Sequence, residues 1–452
     1  MKNETTTPTN GPEYWMSLEH LQGGDEFAKR AESEFQSSPF ASEDGKDGFA
    51  RRDFLKLMGA SIAMASAGCI RRPVQTIIPY AIQPKEITPG VANFYASTWF
   101  DGTEGYGALV KTLEGRPIKM EGNPLHLMNL GGLSARAHAE VLSLYDPDRL
   151  TGPVRNLQNK ERTNRETVSA KWEDLDKAIV AELGKGAVAI LSSTLPSPST
   201  KSIIGDFSRT FGGARWVQYD TQGAEHVRKT NGGTVPRLRL DRAKMVVTID
   251  TDLLGTYLSP AEFSRQWSEG KKPGRDMIRL VAFESMMTLT GMNADDRIQI
   301  RPSQQFGVVL TLMNAVAKAS NGGASVPAAA RDFLKAFDEP AANEQMAKVA
   351  SQLWENRGKS IVVAGGLQTQ TEDAADLQAA VSILNSMLGN NGQTVDYENA
   401  FRTRQGSSTD LAALIADMNA GKVKTLIIHN LNPVYALPTD AAFAEALGKV
   451  AF

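Results

Sequence analysis

Five runs of strand length constrain this chain more than any other feature. Residues 187–191, 245–249, 277–283, 360–364 and 425–429 are apolar almost throughout, and segments of helical spacing separate them. A strand that is apolar on both sides has to be covered on both sides, so such runs belong in parallel sheets sandwiched between helices. The intervening segments supply the helices. Trp172, Leu175, Ile179 and Leu183 recur at helical spacing and Gly184 closes the segment; residues 199–211, 306–318, 372–388 and 440–447 read likewise. Shorter strands are predicted at 216–219 and 297–300. The fold class is therefore α/β. Residues 450–452 open another apolar run, from which a chain truncated at its C-terminus is expected. No repeat of 20–50 residues and no heptad run is present.

The first part of the chain has a different pattern. Two β-rich runs, 106–113 and 116–121, flank Glu114-Gly115, the signature of a tight hairpin. Residues 135–144 read as a helix with Ser134 as N-cap, stopped by the turn at 145–150. Residues 70–103 carry Pro73, Pro79, Pro84 and Pro89 at short intervals, and an extended, irregular strap is predicted there. The chain thus divides into residues 1–50, 51–69, 70–155 (strap plus small β-rich domain) and 156–452 (α/β).

Composition enters through cysteine and charge. Forty-nine Lys+Arg balance 51 Asp+Glu, which argues against a nucleic-acid binder. The one cysteine, Cys69, excludes a disulfide framework and any multi-thiolate zinc or iron–sulfur centre within this chain. It sits in a targeting pattern: Arg51-Arg52-Asp53-Phe54-Leu55-Lys56, a short run rich in Ala, Met and Gly, then Ser66-Ala67-Gly68-Cys69. The arginine pair resembles the signal of the twin-arginine translocase, and the small residues before Cys69 resemble a lipoprotein cleavage site that would anchor the mature protein at a membrane surface. Ser66 stands where such sites usually carry Leu. In residues 1–50 acidic residues outnumber basic ones, and a disordered extension is expected.

Candidate chemistry is sparse. Gly365-Gly366 follows a strand and reads either as a phosphate contact or as turn glycines. His429-Asn430-Leu431-Asn432-Pro433 lies at the carboxyl end of a strand, where α/β sheets bind ligands, but Asn and Pro also end strands in turns. None of the five histidines, His126 and His226 among them, has metal-ligand spacing. Ser192-Ser193 and Ser407-Ser408 lack a nucleophile context, and Met286-Met287 is expected in the core.

An ordered series of segments carries a resemblance. Residues 113–126, reading LEGRPIKMEGNPLH, resemble the glycine–asparagine–proline segment of molybdopterin oxidoreductases; 129–134, 144–150, 296–303, 384–392 and 422–433 resemble further segments of that family in the expected order. The resemblance implies a fold like those of formate dehydrogenase and dimethyl sulfoxide reductase, and makes Gly365, Gly366 and Asn432 candidates for a vestigial pterin pocket. Departures are equally informative. Ser134 stands where the family has the last cysteine of its iron–sulfur cluster, residues 94–105 hold no cysteine, and residues 220–226 contain no counterpart of the molybdenum ligand. With the displaced twin-arginine signal, this pattern resembles the translocated molybdopterin-oxidoreductase group that includes the iron–sulfur subunit of bacterial alternative complex III, a quinol:electron-acceptor oxidoreductase. That resemblance implies a non-catalytic segment without cofactor, with iron–sulfur clusters in a later part of the subunit. It also implies a place on the periplasmic side of the inner membrane, and multihaem cytochrome c and polytopic quinol-binding subunits as partners. A catalytic molybdenum subunit whose metal is held by pterin alone, or a simple exported binding protein, are the alternatives.

Overall fold

The computed structural model describes Ile82 and residues 84–452, apart from 103, 159–164, 275, 329, 332–333, 335–343 and 366–371. All of these but Ile82 lie in the unit Pro84–Phe452. Arg51, Arg52, Cys69, Gly366 and the acidic extension fall outside the described residues.

Strands β1 (Asn93–Phe100), β2 (Gly105–Leu113) and β3 (Arg116–Gly122) form an antiparallel sheet in that order. The hairpin forms at Glu114 and Gly115, whose φ angles of 51° and 79° give the mirror-image turn that matches strand twist. Strand β1 corrects the expected strap. From Asn93 opposite Thr112 to Phe100 opposite Gly105 it pairs with β2 in unbroken register. The proline spacing ends at Pro89, and the uncharged run after Asn93 is rich in aromatic and β-branched residues, which suit a pleated strand. The helix expected at 135–144 is α-helical only over α1 (Ala135–Ala139), with Ser134 Oγ accepting the Ala137 N–H as predicted; Glu140–Tyr145 tightens into a 3-10 turn.

A hairpin of β4 (Val154–Gln158) and β5 (Arg165–Ser169) leads into alternating elements. These are α2 (Trp172–Leu183), β6 (Val188–Ser192), α3 (Pro198–Thr210), β7 (Arg215–Gln218), α4 (Glu225–Thr230), β8 (Val235–Leu238) and β9 (Met245–Ile249). Next come α5 (Pro260–Gly270), β10 (Arg279–Glu284), α6 (Leu289–Met292), β11 (Asp296–Gln299), α7 (Gln305–Ala319), α8 (Glu344–Glu355), β12 (Ser360–Ala364) and α9 (Ala374–Met387). The series ends with β13 (Val395–Phe401), α10 (Ser408–Asn419), β14 (Thr425–His429), α11 (Pro433–Ala436) and α12 (Phe443–Leu447). The helix expected over 440–447 is broken at Ala442, whose φ of 48° separates a 3-10 turn from α12.

The predicted parallel sheets are present. One has the order β11-β10-β9-β12 and the other β14-β6-β7, all neighbours parallel. In the larger sheet Met245, Val247 and Ile249 pack with α7, α8 and α9, while Val246 packs on the opposite face with Phe263 and Trp267 of α5. Period-two alternation with both faces apolar is why these strands read as uninterrupted hydrophobic runs. The smaller sheet packs Ala189, Leu191 and Val217 against Leu411, Leu414 and Met418 of α10. In both sheets the first strand in sequence is central and the chain later returns to its other side, which creates a switch point between β9 and β12 and another between β6 and β14. Residue 452 pairs along the outer edge of β14: Leu426 N–H donates to its carbonyl at 2.9 Å and its N–H to the Lys424 carbonyl at 3.0 Å. Met286 and Met287, expected in the core, are exposed beyond the end of β10.

Two glycines of the first sheet separate conformational from steric need. A Cβ on Gly122 would lie 2.3 Å from the Gly131 carbonyl oxygen, whereas one on Gly115 would meet nothing within 4 Å. Gly122→Ala is therefore expected to cost about 1–3 kcal/mol through backbone displacement, and Gly115→Asn less than about 1 kcal/mol because Asn tolerates positive φ. Thermal unfolding followed by circular dichroism separates the two.

Candidate functional site

In open α/β sheets the ligand crevice lies beyond the carboxyl ends of the strands at the switch point, and this chain offers two. At the crevice between β9 and β12 the described acidic side chains are hydrogen-bonded to the chain itself. Asp250, directly after β9, accepts the Ser285 N–H and Oγ–H at 3.1 and 2.9 Å and the Gln305 amide at 2.8 Å. Beside it, Glu284 accepts Thr288 Oγ–H at 2.7 Å and Arg297 Nε–H at 2.5 Å. Gly365, at the end of β12, has a φ of 69°, and a Cβ there would meet Gln378 Nε2 at 2.8 Å and Leu377 Cδ2 at 3.1 Å. It faces α9, so its lack of a side chain serves the approach of helix to strand.

The crevice between β6 and β14 opens into a cleft of about 780 Å³. Four parts of the chain wall it: the β1–β2 turn (Phe100, Gly105, Tyr106), the start of α3 (Leu195, Ser197, Thr200), the end of β13 (Phe401, Arg402, Thr403), and His126 with Met128. Arg237 of β8 and His429 of β14 complete it. The lining is predominantly apolar with a few polar groups, the composition of a small-molecule site. His126 arrives there because the Gly122–His126 segment folds over Gly107. A Cβ on Gly107 would fall 2.4–2.6 Å from the His126 side chain, so this ring is seated on bare backbone. Asn432 takes no part in the cleft. It is the N-cap of α11 and accepts the Tyr435 N–H at 3.2 Å. Gly365 and Asn432 thus follow strands of different sheets and are not brought together.

Buried charge holds the cleft walls. Arg404 is 1% exposed; it donates to the Gln222 carbonyl at 2.7 Å and lies 3.9 Å from the Glu104 carboxylate. Burial pulls its affinity for a proton down, and the nearby Glu104 and Asp220 carboxylates pull it back up. Glu104 also accepts Tyr106 Oη–H at 2.6 Å and Arg136 at 2.7 Å. Burial first, then the Glu104 charge, raises the Tyr106 phenol far above its ordinary range. Asp220 accepts Thr194 N–H, Thr194 Oγ–H and Gly406 N–H at 2.9, 2.5 and 2.7 Å. These groups escaped the sequence reading, which found neither β8 nor β13 and assigned Asp220 no role. The one available signal was Arg404-Gln405-Gly406, a charge beside a glycine. Among the described residues, no three His, Cys, Asp or Glu side chains are grouped to hold a metal ion.

Arg237 lies over the Phe401 ring at 4.9 Å and 3.6 Å from Glu262. Burial pushes the Glu262 carboxyl up to about 7 from 4.5, against the pull of Arg237. A carboxyl raised on folding stabilises the native state fully below its unfolded pKa of 4.5, and that contribution is lost as pH rises through about 7. Glu262→Gln is expected to flatten this decline. The wild-type protein should lose up to about 3 kcal/mol of stability between pH 4.5 and 8 relative to the variant, as read from denaturant or thermal unfolding across that range.

No family model matches the chain. It is 27% identical over 453 aligned residues to the "Menaquinone reductase, molybdopterin-binding-like subunit" of Nitratidesulfovibrio vulgaris (strain Hildenborough), covering 89% of this chain and 62% of that protein. A chain of the formyltransferase/hydrolase complex of Methylorubrum extorquens, solved with methylofuran, superposes with a TM-score of 0.29 at 14% identity over 57% of this chain and 73% of that one. A likeness at that score carries no argument. The chain is thus similar along most of its length to a subunit that is itself named molybdopterin-binding-like.

Proposed function

We propose that this chain is a pterin-free, molybdopterin-oxidoreductase-like subunit of a respiratory quinone-oxidoreductase complex of the alternative-complex-III type. In this reading it docks partner subunits and orients their redox centres on the periplasmic face of the membrane. The observation that carries it is the 27% identity, along 89% of the chain, to a subunit named molybdopterin-binding-like. The chain spans 62% of that relative's length. The activity of the whole assembly is part of the proposal.

The pterin-free part rests on donor chemistry. Asp250 and Glu284 at the β9–β12 crevice accept from the chain's own donors, Gly365 faces Leu377 and Gln378, and the described residues offer no group of three metal-ligating side chains. The docking role is supported by exposed apolar surface: Met286, Met287, Leu289 and Met292 lie within seven residues and are 54–68% exposed. Clustered exposed methionines suit a contact surface. Among the described residues no helix is long and apolar enough to cross a membrane. Membrane attachment is assigned to Cys69 and to partner subunits, and export to Arg51 and Arg52, on the sequence pattern alone.

Affinity purification of the tagged chain from solubilised membranes tests the proposal. Multihaem cytochrome c and polytopic membrane subunits are expected to co-purify, with molybdenum well below one atom per chain by mass spectrometry. Stoichiometric molybdenum, or oxidised-pterin fluorescence on denaturation, would overturn the pterin-free part. Recovery of the chain alone would overturn the docking role. Replacing the pair (Arg51→Lys with Arg52→Lys) is expected to leave the precursor in the cytoplasmic fraction; unchanged export would remove the twin-arginine route.

A further inference from the structure

We infer that the free edge of strand β1 is a self-pairing surface, on which a second copy of this chain adds its own β1 antiparallel about a two-fold axis at Ser97. The two edges of the first sheet differ in how they are protected. Natural edge strands carry charge, proline or a bulge that discourages pairing with another chain. Strand β3 has all of these: Arg116, Lys119 and Glu121, Pro117, and a register shift against β2. Strand β1 has none. Its eight residues, Asn93-Phe94-Tyr95-Ala96-Ser97-Thr98-Trp99-Phe100, hold no charge and no proline, and they pair with β2 without a break. Phe94 through Thr98 are exposed, and no strand lies beyond β1 among the described residues.

The backbone fixes which groups are free. In an antiparallel ladder successive residues point their N–H and C=O groups alternately toward and away from the neighbouring strand. Asp101 N–H donates to the Glu104 carbonyl at 3.2 Å, so the odd-numbered residues of β1 face β2. Gly107, opposite Thr98, agrees: its N–H goes to the Asn129 side chain and its carbonyl accepts from Asn123 and Asn129, on the side away from β1. The N–H and C=O groups of Phe94, Ala96, Thr98 and Phe100 are therefore turned outward, and none has a hydrogen-bond partner among the described residues. The sequence selects the occupant. An antiparallel copy reads the strand in reverse, and β1 is close to a palindrome by residue class: Phe94 with Phe100, Tyr95 with Trp99, and Ala96 with Thr98, about Ser97. In that register every outward residue meets an outward residue of the second copy, giving about eight backbone hydrogen bonds against about ten in a standard interface. Aromatic residues meet aromatic residues toward both ends, a favourable cross-strand pairing, and the contact is isologous.

The test uses the full-length chain. Sedimentation between about 1 and 100 μM is expected to show a concentration-dependent dimer. Ser97→Glu sets two carboxylates face to face on the axis and should weaken self-association by about tenfold or more. Ser97→Lys should do the same, and an equimolar mixture of the two variants should recover the dimer, which also shows that both fold. Ser97 and its copy form a non-hydrogen-bonded pair with Cα atoms about 4.5 Å apart, within disulfide range. In a Cys69→Ser background, Ser97→Cys should therefore cross-link in oxidised glutathione. Tyr95→Cys should not, because it lies about 13 Å from its copy along the ladder. A monomer at every concentration would overturn the inference. So would a dimer indifferent to charge at residue 97, equal cross-linking at residues 95 and 97, or a purified complex in which a strand of another subunit covers β1. The inference is independent of the docking surface at residues 286–292, so either can fail alone.

Discussion

A guanidinium with 1% of its side chain exposed calls for compensating groups, and Arg404 meets that need in part: one nitrogen donates to a carbonyl and a carboxylate lies 3.9 Å away, while Nε and Nη2 make no hydrogen bond among the described residues. Its partners come from distant parts of the chain: the Gln222 carbonyl after β7 and the Glu104 carboxylate before β2. Glu104 is held in turn by Tyr106 and Arg136. On the other side of Arg404, Gly406 N–H donates to Asp220, and Arg228 donates to the Gln405 and Gly406 carbonyls. A Cβ on Gly406 would lie 2.4 Å from the Asp220 backbone nitrogen, so the loop is pressed against the sheet as well as bonded to it. The first antiparallel sheet, the smaller parallel sheet and the loop after β13 are thereby fastened at one place. Three walls of the cleft come from those same segments.

The two switch points share one architecture and differ in what lies beyond their strands. Beyond β9, Asp250 and Glu284 accept from Ser285, Gln305, Thr288 and Arg297, while the buried Gln305 Oε1 has no hydrogen-bond partner among the described residues. Beyond β6, Asp220 is likewise hydrogen-bonded within the chain, and the cleft there is lined largely by aromatic and aliphatic surface. The difference between the two lies in side chains, since the strand order is analogous.

The strongest sequence signals survived into the structure for local reasons. The runs at 245–249, 360–364 and 425–429 became strands with the predicted limits because a short apolar run, coverable on both faces, has few other stable arrangements. The hairpin at Glu114-Gly115 and the Ser134 cap depend on neighbours within a few residues. Where the reading departed from the structure, distant partners decided. Strand β1 carries a local strand signal in its aromatic and β-branched residues, but the prolines before it read as a strap and its pairing with β2 decided between them. The methionines at 286 and 287 read as core by composition, yet they follow the last buried residue of β10, Glu284, in a turn that faces solvent. Strands β8 and β13 are short, mixed in character and paired with each other 157 residues apart at Val395 and Leu238, a separation at which no local pattern signals the partner.

By itself, then, the sequence determined the α/β class, the main strands and helices, the tight hairpin and the resemblance to molybdopterin oxidoreductases, because each rests on hydrophobic period, turn chemistry or an ordered series of short segments. Only the tertiary structure decided that Gly365 is a packing glycine, that Asn432 caps a helix and that His126 is seated on Gly107. It also decided that a cleft opens between β6 and β14, whereas the acidic groups beyond β9 are hydrogen-bonded to the chain itself. The cleft depends on contacts that span the chain, such as Arg404 with the Gln222 carbonyl and Glu104, and such a pairing leaves no trace in the local pattern of either partner, whereas Gly365, Asn432 and His126 are settled by neighbours within twenty residues through packing and capping.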